Sequence, residues 1–202
     1  MIKKCADVIV DCLIKSDVVE EKDKELYSYA VYSLVLLVSP LLLAIGFGLF
    51  LNCVGKSMII VLPFMIVRKY SGGYHTRHLW SCLICSCLLL LSGIVVSFYL
   101  ECGWLLIVLT IGATVSLICF SPIDNENRVL SEMEKVRYKR ITAILITVFV
   151  LVELLLYGLG QYTYSVCVSI GIMMTAILQI PCIVKRKIDQ KRTKKVIWYK
   201  MD

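Results

Sequence analysis

The chain has 202 residues, 59% of them hydrophobic, with 22 basic against 15 acidic side chains and a mean hydropathy of +0.82. That apolar load excludes an ordinary soluble domain, and the net charge of +7 points to an anionic lipid surface or an acidic peptide as partner, with no sign of nucleic-acid recognition. The alternating strands of about ten residues that mark a transmembrane β-barrel are not visible, so the sequence predicts an all-α integral membrane protein, a single membrane domain over residues 1–202.

Residues 1–26 do not read as a signal peptide, because Asp7, Asp11 and Lys15 interrupt the apolar content. Ile2, Cys5, Ala6, Ile9 and Leu13 fall near one helical face. The pattern fits an amphipathic helix lying on the membrane, or one packed against the end of a bundle.

Six apolar runs follow, at about 27–51, 57–67, 79–100, 104–120, 141–159 and 164–184. They predict about six transmembrane helices in a bundle over residues 27–184. The second run is the weak one. Its eleven residues would cover about 16 Å, roughly half a hydrocarbon core; a start near Asn52, with Lys56 snorkelling, extends it to about 24 Å, and Pro63 removes a hydrogen-bond donor. It is expected to be short, kinked or tilted, or else a broken helix lining a cavity. Residues 185–202 form a basic tail suited to anionic headgroups. The ten cysteines are scattered through apolar segments and read mainly as reduced packing residues.

The basic residues set the orientation. Residues 1–26 carry five, 68–78 three, 121–140 five and 185–202 eight, whereas the opposite connections hold Lys56 alone. By the positive-inside rule both termini and the 68–78 connection are expected to be cytoplasmic.

That connection is the most informative stretch. RKYSGGYHTRHLWSC, from Arg68 to Cys82, is a polar, glycine-bearing island between apolar runs, and it holds both histidines, His75 and His78. A cysteine and a histidine can perform acyl transfer: the imidazole takes the thiol proton and the thiolate attacks a carbonyl. Cys82 would lie in the first turn of a helix starting near His78 or Leu79, where the dipole and free N–H groups favour an anion. The N–H groups around Gly72 and Gly73 can hold a developing oxyanion. In one unbroken helix His75 and Cys82 would share a face but stand about 10.5 Å apart along the axis, far outside hydrogen-bond reach. A working pair therefore requires a break between them, with Gly72 and Gly73 supplying the flexibility for a loop that folds His75 back over Cys82, or pairing across a dimer. Two other readings stay open. His75-x2-His78 with Cys82-x2-Cys85 resembles two pairs of zinc or copper ligands, and the kinked second segment would suit a small-peptide exporter.

Taken together, Arg68, Gly72-Gly73, His75 and Cys82, set between hydrophobic segments of a chain of this length, resemble the accessory gene regulator B (AgrB) peptidases. The later Phe120-Ser121-Pro122-Ile123-Asp124-Asn125 resembles that family's Ala/Ser-Pro-x-Asp element after the fourth span. The resemblance implies a multi-pass bacterial cell-membrane cysteine endopeptidase of a quorum-sensing system, needing no metal or cofactor. Such an enzyme cleaves the C-terminal part from an AgrD-like propeptide and promotes cyclisation to a thiolactone or lactone. It further implies that His75 is the general base and Cys82 the nucleophile, that Arg68, Gly72 and Gly73 support the site or touch substrate, and that the protein is a homodimer. His78 and the extra cysteines are departures that the motif does not require. Asp124 can orient His75 or simply end a connection.

Overall fold

A backbone in lipid must satisfy its own N–H and C=O groups, which a continuous helix does within one segment. The computed structural model describes residues 20–71, 79–123 and 131–199, together with Val8, 10–14 and Ser16. Among these the regular structure is all helical. A 3₁₀ turn (Glu21–Asp23) leads into α1 (Lys24–Phe50), followed by α2 (Val54–Ser71), α3 (Leu79–Tyr99), α4 (Trp104–Phe120), α5 (Glu132–Gly158) and α6 (Tyr162–Tyr199).

Among the described residues two stretches are long and apolar enough to cross a membrane, α5 and the Tyr162–Val184 part of α6; shorter apolar stretches occupy Leu37–Phe50, Ile84–Tyr99 and Trp104–Phe120. The second segment is longer than its eleven-residue apolar run and close to the extended alternative that starts near Asn52. It forms one helix of 18 residues with Pro63 inside it, about 27 Å long. The extra length comes from basic residues at both ends that fold their side chains over aromatic rings. Lys56 Nζ lies 4.5 Å from the centre of the Phe98 ring, and the Arg68 guanidinium lies 5.5 Å from that of Phe64. At the other end of the chain α6 continues as helix through the basic residues after Val184 to Tyr199.

The connections are tight where polar caps permit. Asn52 takes a φ of +52° in the α1–α2 turn, where the Cys53 N–H donates to the Gly48 carbonyl at 2.7 Å. A Cβ on Gly48 would meet the Val54 Cα at 2.8 Å, so a larger residue would force the turn open. The start of α5 is fixed by a capping box: the Ser131 Oγ accepts from the Glu134 N–H, and the Glu134 carboxylate accepts from the Ser131 N–H. Near the N-terminus Val10 is fully buried and Asp11 pairs with Lys24 at 2.6 Å. Asp11 thus ties to the start of α1.

The core is organised around α6. Residues 165–172 are all buried, and α2, α3, α4 and α5 all pack on this helix. Small residues allow the close approach. A Cβ on Gly171 would stand 2.6 Å from the Ile60 carbonyl oxygen, so α2 and α6 touch backbone to backbone there. Ile60, Phe64, Leu90 and Ile94 pack with Ile170 and Met174 on one side; Val67, Leu117 and Ile146 pack with Val168 and Ile172 on another. By contrast α5 turns Leu151, Leu154 and Leu155 outward.

Candidate active site

The last turn of α2 carries Arg68 and Lys69, whose charges complement the negative end of the helix dipole. Arg68 is half-buried and Ser71 fully buried. Tyr70 meets Tyr138 edge to face, ring centres 5.9 Å apart, joining the end of α2 to the first part of α5. The helix ends against the segment that follows α4: the Ile123 N–H donates to the Ser71 carbonyl at 3.1 Å. The two polar connections singled out from sequence, one leaving Ser71 for Gly72 and the other leaving Ile123 for Asp124, therefore begin one hydrogen bond apart. The Ser121–Pro122 peptide between α4 and Ile123 is cis.

Gln179, inside α6 and fully buried, braces this junction. Its Nε2 donates to the Ser71 carbonyl at 3.3 Å and to the Ser121 Oγ at 2.8 Å. The orientation of the amide follows from chemistry: a carbonyl only accepts, so the nitrogen must face Ser71. The Oε1 then points away and finds no hydrogen-bond partner among the described residues. Leaving a buried acceptor unmet costs about 1–3 kcal/mol, which makes this oxygen one that a donor would satisfy.

Of the residues named from sequence, Arg68 stands in this junction. Gly72, Gly73, His75 and Asp124 lie outside the described residues, as does His78. Cys82 is the fourth residue of α3 as described, with its side chain outside the described set. Cys85 is exposed on the outer surface of α3 and Cys87 is partly buried.

Sequence reasoning passed over two buried polar groups. Gln179 interrupts the 164–184 run and Glu153 the 141–159 run, and a polar residue within an apolar run is the signal that marks both. Glu153 is 4% exposed, accepts from the Ser169 hydroxyl at 2.6 Å, and through its backbone carbonyl accepts from the Ser165 hydroxyl at 3.1 Å. It lies toward the end of the bundle opposite Gln179. A cavity of about 540 Å³ opens at that opposite end, lined by Lys56, Glu101, Cys102, Tyr157 and Tyr162.

The family described as Accessory gene regulator B matches residues 4–180, a span that contains the whole junction. The chain belongs to the AgrB family. Among curated proteins, an AgrB-like protein of Clostridium perfringens strain SM101 is 26% identical over 168 residues, covering 75% of this chain and 77% of that protein. A second, AgrB-like protein 2 of Clostridium perfringens strain 13, is 23% identical over 167 residues, with 77% of each chain covered. No solved structure matches. Membership links this AgrB chain to the accessory gene regulator system of quorum sensing, to the peptidase-like processing role general in the family, and to an AgrD-like propeptide as substrate. With its two long apolar helices among the described residues, this family member is a membrane protein.

Proposed function

We propose that this protein is a membrane cysteine endopeptidase that cuts the C-terminal part from an AgrD-like propeptide and cyclises what remains. The observation that carries the reading is the family match over residues 4–180, which takes in the ordered set Arg68, Gly72-Gly73, His75 and Cys82. His75 takes the thiol proton as the Cys82 sulfur attacks the scissile carbonyl. The tetrahedral intermediate collapses, the C–N bond breaks, and the imidazolium returns its proton to the departing amine. The N-terminal part remains on Cys82 as a thioester. A cysteine or serine within the same peptide attacks that thioester, its proton passing to His75. The ring closes and the Cys82 thiolate leaves.

Exchange of one thioester for another is close to isoergic, so water must be kept away for the ring to win over hydrolysis. A site at the cytoplasmic edge of the bilayer suits that need. The distribution of basic residues supports six spans with both termini cytoplasmic, in a bacterial cell membrane, and the homodimer is carried over from the family resemblance. Arg137, Lys139 and Arg140 are available to attract an acidic propeptide tail.

The test is co-expression with a candidate propeptide of single Cys82→Ser, Cys85→Ser and His78→Ala variants. Cleavage should vanish only with the first, and a propeptide thioester on Cys82 should be trapped by mass spectrometry. Full turnover by Cys82→Ser would refute the mechanism. Loss in all three variants together with inhibition by chelators would favour a metal site instead, and transport without cleavage would favour an exporter.

A further inference from the structure

We propose that Glu153 of α5 is a binding site for one small monovalent cation, a proton or a sodium ion, toward the end of the bundle opposite Gln179. The site is independent of the endopeptidase reading.

Hydroxyls from two neighbouring helices close around the carboxyl. Ser169 Oγ of α6 lies 2.6 Å from Oε1, and Thr110 of α4 presents its hydroxyl to the same carboxyl. Ser165, one turn before Ser169, donates to the Glu153 backbone carbonyl at 3.1 Å. All four residues are 4% exposed or less. An ionisable side chain so placed in a membrane protein marks a functional site by default.

The protons around this carboxyl are one too few. Ser169 has a single hydroxyl proton but two acceptors, Oε1 at 2.6 Å and the Ser165 carbonyl at 3.0 Å. The Thr110 proton is committed to the Leu106 carbonyl at 2.9 Å, and the Ser165 proton to the Glu153 carbonyl. Oε2 is buried and without a partner among the described residues, and no ion pair among them reaches the carboxyl. A bare carboxylate is strongly disfavoured in such surroundings. One added positive charge resolves this. A proton on Oε1 donates to Ser169 Oγ and frees the Ser169 proton for the Ser165 carbonyl. A sodium ion instead neutralises the carboxylate from the side of Oε2, and carboxylate and hydroxyl oxygens are the hard donors such an ion takes.

The cavity of about 540 Å³ comes close to this site, since Cys102, Tyr157 and Val166 line it. Tyr157 stands one turn beyond Glu153 on α5, Val166 follows Ser165 on α6, and the Cys102 sulfur lies 4.0 Å from Ser165 Oγ. Among the described residues, the other titratable or charged groups facing the cavity or the core at this end are Cys53, Lys56, Glu101, Tyr162 and Cys167. Lys56 lies over the Phe98 ring, and Glu101 brings the opposite charge to the same cavity.

The experiment treats the full chain in lipid nanodiscs with dicyclohexylcarbodiimide, an apolar reagent that modifies protonated carboxyls, and follows Glu153 by mass spectrometry. If the ion is a proton, labelling should fall about tenfold per pH unit on the alkaline side of the profile, whatever the sodium concentration. If it is sodium, ~100 mM sodium chloride should slow labelling roughly threefold or more at fixed pH, relative to choline chloride, and raise the thermal midpoint. Either pattern supports the site. Glu153→Gln, alike in shape, should stay folded, take no label and lose any effect of sodium on its midpoint. Ser169→Ala should move the pH or sodium midpoint of labelling roughly tenfold in concentration, with Ser169→Thr restoring it. Glu153 unlabelled in sodium-free buffer from mildly acid to mildly alkaline pH overturns the assignment. So does labelling at one rate whatever the pH and sodium, or a profile that Ser169→Ala leaves unmoved. The wild-type profiles decide the matter even where a variant fails to fold.

Discussion

Gly171→Ala tests whether the α2–α6 contact sets the active-site entrance. The added Cβ would lie 2.6 Å from the Ile60 carbonyl oxygen and 3.2 Å from both Pro63 Cβ and Cγ. The first is backbone and the second a rigid ring, so neither swings aside, and α2 must move off α6 by about 0.8 Å to reach an ordinary contact near 3.4 Å. Overpacking of this kind costs about 1–3 kcal/mol, partly offset by about 1 kcal/mol from replacing glycine in a helix. A net loss of up to about 2 kcal/mol corresponds to a thermal midpoint lower by up to roughly 6 °C, read by intrinsic fluorescence in detergent. The functional loss should be larger than the stability loss. The Gln179–Ser71 hydrogen bond is already 3.3 Å long, and a shift of a few tenths of an ångström at the end of α2 takes it beyond useful range. Propeptide cleavage should therefore fall about tenfold or more at temperatures where the variant is folded. Gly46→Ala and Gly112→Ala serve as controls, because a Cβ at either position meets nothing within 4 Å. Wild-type cleavage and midpoint in Gly171→Ala, or equal damage in the controls, would refute the reasoning.

Other outcomes are expected. Glu153→Gln keeps an acceptor for the Ser169 hydroxyl and should change unfolding by less than about 1 kcal/mol, whereas Glu153→Lys, which buries a cation where the Ser169 hydroxyl needs an acceptor, should prevent accumulation of folded protein as read by fluorescence size-exclusion. Ser131→Ala removes the acceptor for the Glu134 N–H and should cost about 1 kcal/mol in thermal stability without changing the cleavage site. In intact cells a cysteine placed at Glu101 should be labelled by a membrane-impermeant maleimide, and one at Arg137 only after permeabilisation; the reverse would invert the proposed topology.

The helices that were legible in the sequence are those whose apolar residues run unbroken. The 104–120 run is α4 residue for residue, and α3 ends within one residue of its expected limit. Hydropathy misjudges helices where long basic side chains serve both sides of a boundary. Lys56 and Arg68 count as connection in the sequence, yet each lays its charge over a ring and lets α2 continue. After Val184 the Lys, Arg, Gln and Ile residues are good or adequate helix formers, so α6 continues although its apolar character ends. The two motifs of the site were readable as motifs. Their meeting was not, because spacing along a chain carries no information about Ile123 reaching Ser71 or about Gln179 reaching a serine 58 residues earlier. Both buried polar groups were visible as interruptions of apolar runs; what each one touches required the fold.

The use of one helix for so much of the packing bears on the chemistry proposed. Helix α6 presents a small residue to its neighbours in its first third, where Gly171 meets the middle of α2, and a buried amide where the site connections begin. Backbone contact there limits how far α2 can slide, and the amide then holds the end of α2 against the Ser121 segment. A reaction that must join two ends of one peptide before water reaches the thioester depends on that kind of restraint, since each ångström of play admits solvent and costs orientation. Loosening the bundle at Gly171 should therefore shift the product ratio as well as the rate, with more linear hydrolysed peptide for each ring formed. Removing the nucleophile should abolish both products together.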